Sequence, residues 1–594
     1  MNLSDYVLDF LKKKGVKTTF LITGGAVSFL VDSFARKKNI TYVSVGHEQA
    51  AAMMADSYSR MGPNFSCTMV TSGPGATNLL TGIACSYFDS IPSLHICGQV
   101  NTYEQQSSKS NTQKVRQVGF QETDITKISQ PITKFSYKLK NAEEIKYVLE
   151  KSYYIATSGR PGPVLIDIPM DLQRVNLNIK TLKKFKPKLK KKKKDFNKFK
   201  LVKKYLTNSK RPVLILGGGI KYSRSEKIIN KVVKKIKFPI VSTWSGCDLI
   251  DHNNINYIGN IGVYGSRSAN FTVQNSDLIL SLGARLDTRT TGGVPSKFAR
   301  KAKKIVVDID KHELGKKRGL KIDLKIHQDI KEFLSDFEKI KLEKISKVDW
   351  LKKAYSWKKN YPIVQKSFFK QKKFVNPYVF IDFLSKILKK DDIIIADDGA
   401  HLTWTMQAFK VKYGQKLFSA FGNSPMGYSL PASIGASIAK KNKKVICIDG
   451  DGSIQINIQE LHTIKKLKLP IKIFILNNNG YGIIKQFQEL YLGGRFEASG
   501  KGVSNPNFKK ISSAYEINHN IIKNHKDLSK LKKIINSNKP EIIEILIKPN
   551  QKIIPKLQFG NPLEDMSPLL PRSEFFENME VPLSIRDNKI FEAN

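Results

Sequence analysis

The sequence predicts an α/β protein built of three doubly wound parallel-sheet domains, on three observations. Short apolar runs recur through the 594 residues, and each stops at a glycine-rich or polar turn. Helix-forming stretches separate these runs, which is the alternation a parallel sheet requires. Two polar connectors, at 177–200 and 341–372, interrupt the pattern and leave domains at 1–176, 201–340 and 373–550, with a tail at 551–594.

Composition narrows the class. A hydrophobic share of 41% is ample for several cores, and the chain is too long for one. No apolar run reaches the ~18 to 20 residues that span a bilayer, and the N-terminus reads as an amphipathic helix, so no membrane association and a cytoplasmic location are expected. The cysteines Cys67, Cys85, Cys97, Cys247 and Cys447 are widely spaced within apolar segments, as buried free thiols would be. A formal charge of +49 suits a nucleic-acid binder, yet the lysines are scattered over every segment, as on solvated faces. No specific nucleic acid is expected; attraction to polyanions at low salt is.

In the first domain, a strand at 19–22 leads to Gly24-Gly25-Ala26 and a second at 42–45 leads to Gly46-His47-Glu48. A strong helix former follows, so Glu48 stands at a helix N-terminus, where favouring the dipole would be reason enough for a carboxylate. A strand at 67–70 ends in Thr71-Ser72-Gly73-Pro74-Gly75-Ala76-Thr77-Asn78, a break that sets up a helix start. Strands at 92–96 and 164–168 end at Gly98-Gln99-Val100 and Pro169. The lysine run 190–194 reads as an exposed linker. The second domain opens with a strand into Gly217-Gly218-Gly219, and further strands end near Trp244, Arg285 and Asp310; without a clean GxGxxG, a dinucleotide site is only weakly indicated. In the third, a strand at 393–395 precedes Asp397-Asp398-Gly399-Ala400-His401, and Gly422-Asn423-Ser424-Pro425-Met426-Gly427 follows. The tail is expected to cross other domains without its own core.

The stretch 445–481 organises the rest. A strand stops at Asp449-Gly450-Asp451-Gly452, an amphipathic helix runs to about 467, and a strand at 471–476 stops at Asn477-Asn478-Asn479-Gly480. In a parallel sheet both turns emerge at the carboxyl edge, where ligands bind, so Asp451 and Asn478 can face one site. Glycines let backbone approach a diphosphate, and a carboxylate, an amide oxygen and the Gly480 carbonyl suit Mg²⁺. Taken singly, each is an ordinary βα turn.

Taken together, GDG followed by NN resembles the thiamine-diphosphate signature. With Gly46-His47-Glu48-Gln49-Ala50-Ala51, residues 71–78, Asp89-Ser90-Ile91-Pro92, Gly98-Gln99-Val100, Phe120-Gln121-Glu122 and Asn457-Ile458-Gln459-Glu460-Leu461, the chain resembles the acetolactate (acetohydroxyacid) synthase branch of thiamine-diphosphate enzymes over roughly residues 1–550. The resemblance implies pyrimidine-binding, central and diphosphate-binding domains. It implies a homodimer or homotetramer with the cofactor between one subunit's first domain and the other's third, so that Glu48 and Asp451 meet from different chains. It implies thiamine diphosphate, Mg²⁺ on Asp451, Asn478 and Gly480, and FAD near Arg285, Arg289 and Asp310. Glu48 would bond the aminopyrimidine and activate the cofactor, with Gln99, Phe120 and Gln121 lining the reaction pocket. Gly25, Pro74, Asn78, Gly399, Ala400, His401, Met426, Gly450, Gly452, Ser453 and Tyr481 would hold it.

The implied reaction decarboxylates a 2-keto acid, pyruvate, and joins the two-carbon unit to a second carbonyl. Three departures bear on that acceptor. Met170 replaces a common Lys, Phe487 replaces the Trp of Gln-Trp-Gln, and the tail resembles those of acetolactate-synthase-like proteins encoded with surface-sugar genes. A Gly-Ala-Arg-Phe-Asp-Asp-Arg pattern also appears as Gly283-Ala284-Arg285-Leu286-Asp287-Thr288-Arg289. Acetolactate synthesis therefore stands beside a carboligase with another acceptor, such as a keto-sugar nucleotide, and, from another class, a basic nucleic-acid-binding protein.

Overall fold

A computed structural model of the chain describes residues 1–38, 40–62, 65–106, 115–187 and 196–584. The lysine run 190–194 lies outside them. Three six-stranded sheets, parallel throughout, account for the fold. The first holds β1 (Thr18–Leu21), β2 (Thr41–Ser44), β3 (Cys67–Val70), β4 (Leu94–Gln99), β5 (Phe135–Lys138) and β6 (Val164–Pro169), in the order β2-β1-β3-β4-β6-β5. The second holds β7 (Pro212–Leu216), β8 (Ile240–Ser242), β9 (Tyr257–Asn260), β10 (Leu278–Leu282), β11 (Lys303–Asp308) and β12 (Leu324–His327), in the order β12-β11-β10-β7-β8-β9. That is the order of a doubly wound dinucleotide-type sheet. The third holds β13 (Ile393–Ala396), β14 (Lys416–Phe418), β15 (Val445–Gly450), β16 (Ile471–Asn477), β17 (Asn518–Ile522) and β18 (Glu541–Leu546), in the order β14-β13-β15-β16-β18-β17. The first and third sheets thus share one topology, which the sequence does not announce.

Central strands such as β13 and β15 are buried end to end, and β13 is wholly apolar while β15 is apolar up to Asp449. The edges read differently. β5, β14 and β17 escape the sequence reading because they are short or carry polar residues at partly exposed positions. Between the two turns, a 3₁₀ segment Ser453–Asn457 precedes a shorter α-helix, Glu460–Lys466, than the expected continuous one.

The first and third units share a core. The helix Glu48–Met61 packs on Ser429–Ala439, and Ala51, Met54 and Tyr58 join Ile434, Ala436 and Ile464 in one buried cluster. Both helices are rich in Ala and Ser, and the second adds Gly435, because their backbones nearly touch. A Cβ on Gly435 would stand 2.1 Å from the Met54 carbonyl oxygen.

The connector at 341–372 is more than a spacer. Its helix Val348–Asn360 buries Trp350 and Trp357 in the central unit's core, and the Trp350 indole donates to the Pro212 carbonyl at 3.1 Å. The tail crosses the same unit, adding Leu557, Leu563 and Phe575 to that core and pairing Glu564 with Arg300 at 2.7 Å. All five cysteines are buried and free. Among the described residues no helix is long and apolar enough to cross a membrane.

Candidate functional site

The turns after β15 and β16 lie side by side because the two strands pair in register, Gly450 opposite Leu476. Asp451 locks them together. Its Oδ2 accepts from the Gly480 backbone N–H at 3.1 Å and from the Asn505 amide at 2.7 Å, and its Oδ1 accepts from the Gly452 N–H at 2.9 Å. Burial raises its pKa against the pull of these donors. Gly480 has φ of +132°, and a Cβ there would lie 2.5 Å from the Ser499 carbonyl oxygen, so only glycine fits.

Beside this turn the His401 ring stacks so close to Gly450 that a Cβ there would be 2.7 Å away. His401 follows Gly399 and Ala400 at the start of the helix Ala400–Ala408, and burial lowers its pKa to about 3, so its imidazole is neutral. Its Nε2 and the Asn478 Nδ2 are buried without hydrogen-bond partners. The Asn478 amide lies 2.5 Å from the position of a Cβ on Gly482, whose other neighbour is Ala400. Two unsatisfied polar groups at one sheet edge, beside glycines that admit backbone, fit a polar ligand.

Asp397, His401 and Asp449 also bring potential ligand atoms within 4.8 Å of one another. Both carboxylates are already engaged, however. Asp397 accepts from the Gly427 N–H at 2.9 Å and the Ser429 N–H at 2.6 Å. Asp449 accepts from the Ser429 hydroxyl at 2.7 Å, the Gly450 N–H at 2.8 Å and the Ser453 hydroxyl. Asp397, Ser429 and Asp449 therefore work as a strut that fixes the half-buried Met426 loop against the Asp451 turn. Sequence reasoning missed this strut and Asn505, although Asp397 and Asp449 both close apolar strands, where a carboxylate is out of place unless bonded.

At the first unit's edge, the Glu48 carboxylate is buried, and its Oε2 accepts from the Asn78 amide at 2.9 Å. Its Oε1 stands 3.4 Å from the position of a Cβ on Gly75, so the absent side chain leaves that oxygen open. The preceding Gly46 N–H donates to Glu460 of the third unit at 2.8 Å, which fixes the entry to the Glu48 helix.

The other expected pocket residues are not gathered here. The Gln99 amide is buried and spent on the protein, donating to Asp167 and to the Thr123 carbonyl, each at 2.9 Å. Phe120 is 85% exposed, and Gly25 and Pro74 are exposed too. Gln121 takes a left-handed backbone, φ +65°, against Gly73. Phe487 stands on another helix, Gly482–Tyr491, packed on Tyr491 and on Phe559 of the tail.

A cleft of about 1190 Å³ opens between the units, lined among others by Gly218, Gly219, Gly283, Arg285 and Arg289. Arg285 pairs with Asp287 at 2.7 Å, and the Arg289 guanidinium lies 5.0 Å from the Trp244 ring centre. Asp310 pairs with Arg160 at 3.2 Å, and this ion pair is among the causes that lower its pKa, against burial, the largest of them.

Comparison with known proteins places each unit. Residues 1–128 match the thiamine pyrophosphate enzyme N-terminal TPP binding domain, 200–337 the central domain, and 397–545 the C-terminal TPP binding domain. The chain is 36% identical to an acetolactate synthase large subunit of Cyanidium caldarium, across 93% of this chain and 94% of that one. It is 34% identical to that of Lactococcus lactis, across 95% of each, and 33% identical to a probable one of Methanocaldococcus jannaschii, across 93% of each.

Proposed function

Because the chain belongs to the acetolactate synthase large-subunit family of thiamine pyrophosphate enzymes, we propose that it decarboxylates pyruvate and joins the remaining two-carbon unit to the carbonyl of a second keto acid. The relatives' names favour this over a keto-sugar nucleotide acceptor, and an enzyme over a nucleic-acid binder.

The observation that carries the site assignment is the Asp451 bridge between two glycine-bearing turns, with the unpartnered His401 and Asn478 nitrogens beside it. Asp451, Asn478 and the Gly480 carbonyl hold Mg²⁺, a hard cation that takes oxygen ligands. Gly399, Ala400, His401, Gly450, Gly452, Ser453 and Tyr481 surround the diphosphate of thiamine diphosphate, and Met426 supports its centre from a loop that Asp397 fixes. When bound, thiamine diphosphate supplies an electron sink for the carbon that loses carbon dioxide.

The protein's part is position and proton control. Glu48 keeps Oε2 on Asn78 and holds or releases a proton at Oε1, the oxygen facing Gly75. Exposed Gly25, Pro74 and Phe120, with the half-buried Asn78 and Gln121, form the face that completes the site. Burial of so apolar a side chain as Phe120 calls for a second copy of the chain, and a homodimer or homotetramer supplies it. FAD occupies the cleft bearing Arg285 and Arg289, with Asp310 at its rim. The glycines that let a dinucleotide approach β7 and β10 support that reading.

Carbon dioxide release from pyruvate tests the function. Release is expected to require both thiamine diphosphate and Mg²⁺, and no release with both present contradicts it. For the flavin, the purified protein is expected to take up FAD and turn yellow, and no uptake removes that assignment.

A further inference from the structure

At the junction of the central unit, the connector and the third unit lies a separate cavity of about 1010 Å³, part of it open to solvent, which none of the catalytic, metal or cofactor residues named above lines. Its lining combines apolar side chains, including Ile363, Val364, Met406 and Phe409, with the basic groups Lys358, Lys410 and His252. No Asp or Glu is among the described residues that line it.

The two lysines differ. Lys410 is neutralised by Asp382 at 2.7 Å. The Lys358 ammonium donates to the backbone carbonyls of His252 at 3.0 Å and Tyr257 at 2.6 Å, and no carboxylate among the described residues comes within ion-pair distance of it. An ammonium carries three N–H donors, so one is left over. Burial, helped by Lys410, pulls the Lys358 pKa down to about 8, as expected of a cation short of a counter-charge. Burial, then Lys358 and Lys410, likewise hold His252 neutral, with a pKa of about 3. Asp251 acts on Lys358 from beyond ion-pair distance and pulls its pKa the other way, too weakly to offset burial and Lys410, while its own oxygens accept from the backbone N–H groups of Asn253 at 2.9 Å and Tyr413 at 3.1 Å. A half-buried cation without a paired counter-ion is partly desolvated at a cost, and an anion brought to it offsets that cost.

We propose that this cavity binds an amphipathic organic anion, with its carboxylate on Lys358 beside His252 and its aliphatic body against Ile363, Val364, Met406 and Phe409. A free inorganic anion would satisfy the lysine but leave the apolar lining wet, and a neutral aliphatic molecule would do the reverse. The carboxylate and the chain together fit the lining. The site stands apart from carboligation and does not depend on the activity proposed above.

Calorimetric titration of the full chain with sodium hexanoate at neutral pH tests this, with hexan-1-ol and inorganic phosphate as the tail without the charge and the charge without the tail. Hexanoate is expected to bind at least about tenfold more tightly than either, the size of one charged hydrogen bond. Lys358→Met, which keeps the aliphatic stem, should weaken hexanoate about tenfold or more while leaving pyruvate turnover without hexanoate unchanged. Val364→Trp, which fills the cavity, should abolish binding and gives the same readout if Lys358→Met fails to fold. No binding of hexanoate, equal binding of hexan-1-ol or phosphate, or undiminished binding in these variants overturns the proposal.

Discussion

The two ends of the chain carry sheets of one topology, but they prepare their carboxyl edges in opposite ways. In the third unit Asp397, Asp449 and Asp451 at the edge are each held by several donors: Asp397 by three backbone N–H groups, Asp449 by two hydroxyls and an N–H, Asp451 by two N–H groups and an amide. In the first unit Glu48 has one side-chain partner, Phe120 is exposed, and Asp167 keeps one oxygen buried with no partner at all. The third unit finishes its half of a site within one chain, whereas the first presents a half that something else must cover. Identical topology therefore does not mean identical edges: on the proposed function, one holds the cofactor and the other reacts.

The largest expected effect strikes the reacting edge. Glu48→Gln keeps the shape and the Asn78 contact but removes the proton-carrying oxygen, so pyruvate turnover should fall about 10²- to 10⁴-fold while thiamine diphosphate still binds. Near-normal turnover in a steady-state assay would erase the distinction between the edges. Asp451→Ala strikes the holding edge, removing the one charged ligand proposed for Mg²⁺ and the bridge between two turns. Cofactor affinity at low Mg²⁺ should drop about 100-fold or more, and Asn505→Ala, which only orients Asp451, about tenfold. Unchanged affinity in equilibrium binding would mean that the wrong turns have been chosen.

Asp167 sharpens the comparison from beneath the reacting edge. Burial raises its pKa to about 7. Between its ordinary value and 7 the folded chain keeps a proton that the unfolded chain releases, so stability falls as pH rises through that window and is lowest above it. Asp167→Asn should flatten this slope, with a gain above neutral pH on the order of a few kcal/mol, read from thermal unfolding at pH 5 and pH 8. An equal slope in both proteins would show that the Gln99 bond already satisfies the carboxylate.

How much of this was legible beforehand follows from the same physics. The holding edge could be read because its chemistry is local: GDG and NN each sit within a few residues, after strands whose continuous apolar character marks them as central. His401 was named from resemblance, and its unpartnered nitrogen became visible only with its neighbours in place. The strut of Asp397, Ser429 and Asp449 joins three distant segments, and no spacing within any of them signals it. Gln99 and Phe120 were assigned to a pocket from resemblance, and one chain alone leaves Gln99 bonded to Asp167 and Phe120 in solvent. The stretch 341–372 reads as a connector because lysines are spread along it, yet two of its tryptophans lie in the central unit's core.

The smallest effect concerns the acceptor. Phe487 presents a ring to Tyr491 and Phe559 with no N–H donor where the family pattern has Trp. The chain should therefore discriminate poorly in favour of 2-ketobutyrate over pyruvate as acceptor, and Phe487→Trp should raise that preference by up to about tenfold in a competition assay. Strong preference in the unaltered protein would contradict the pocket argument.

The central claim, that one chain's holding edge meets another chain's reacting edge, has a direct test. Glu48→Gln and Asp451→Ala chains, each inactive alone, are produced together in one cell and pyruvate turnover is measured on the mixed protein. If each site draws Glu48 from one chain and Asp451 from its partner, half the dimers carry one intact site of two, and activity should return to about a quarter of the unaltered level. Activity no higher than that of either variant alone would show that both residues act within a single chain.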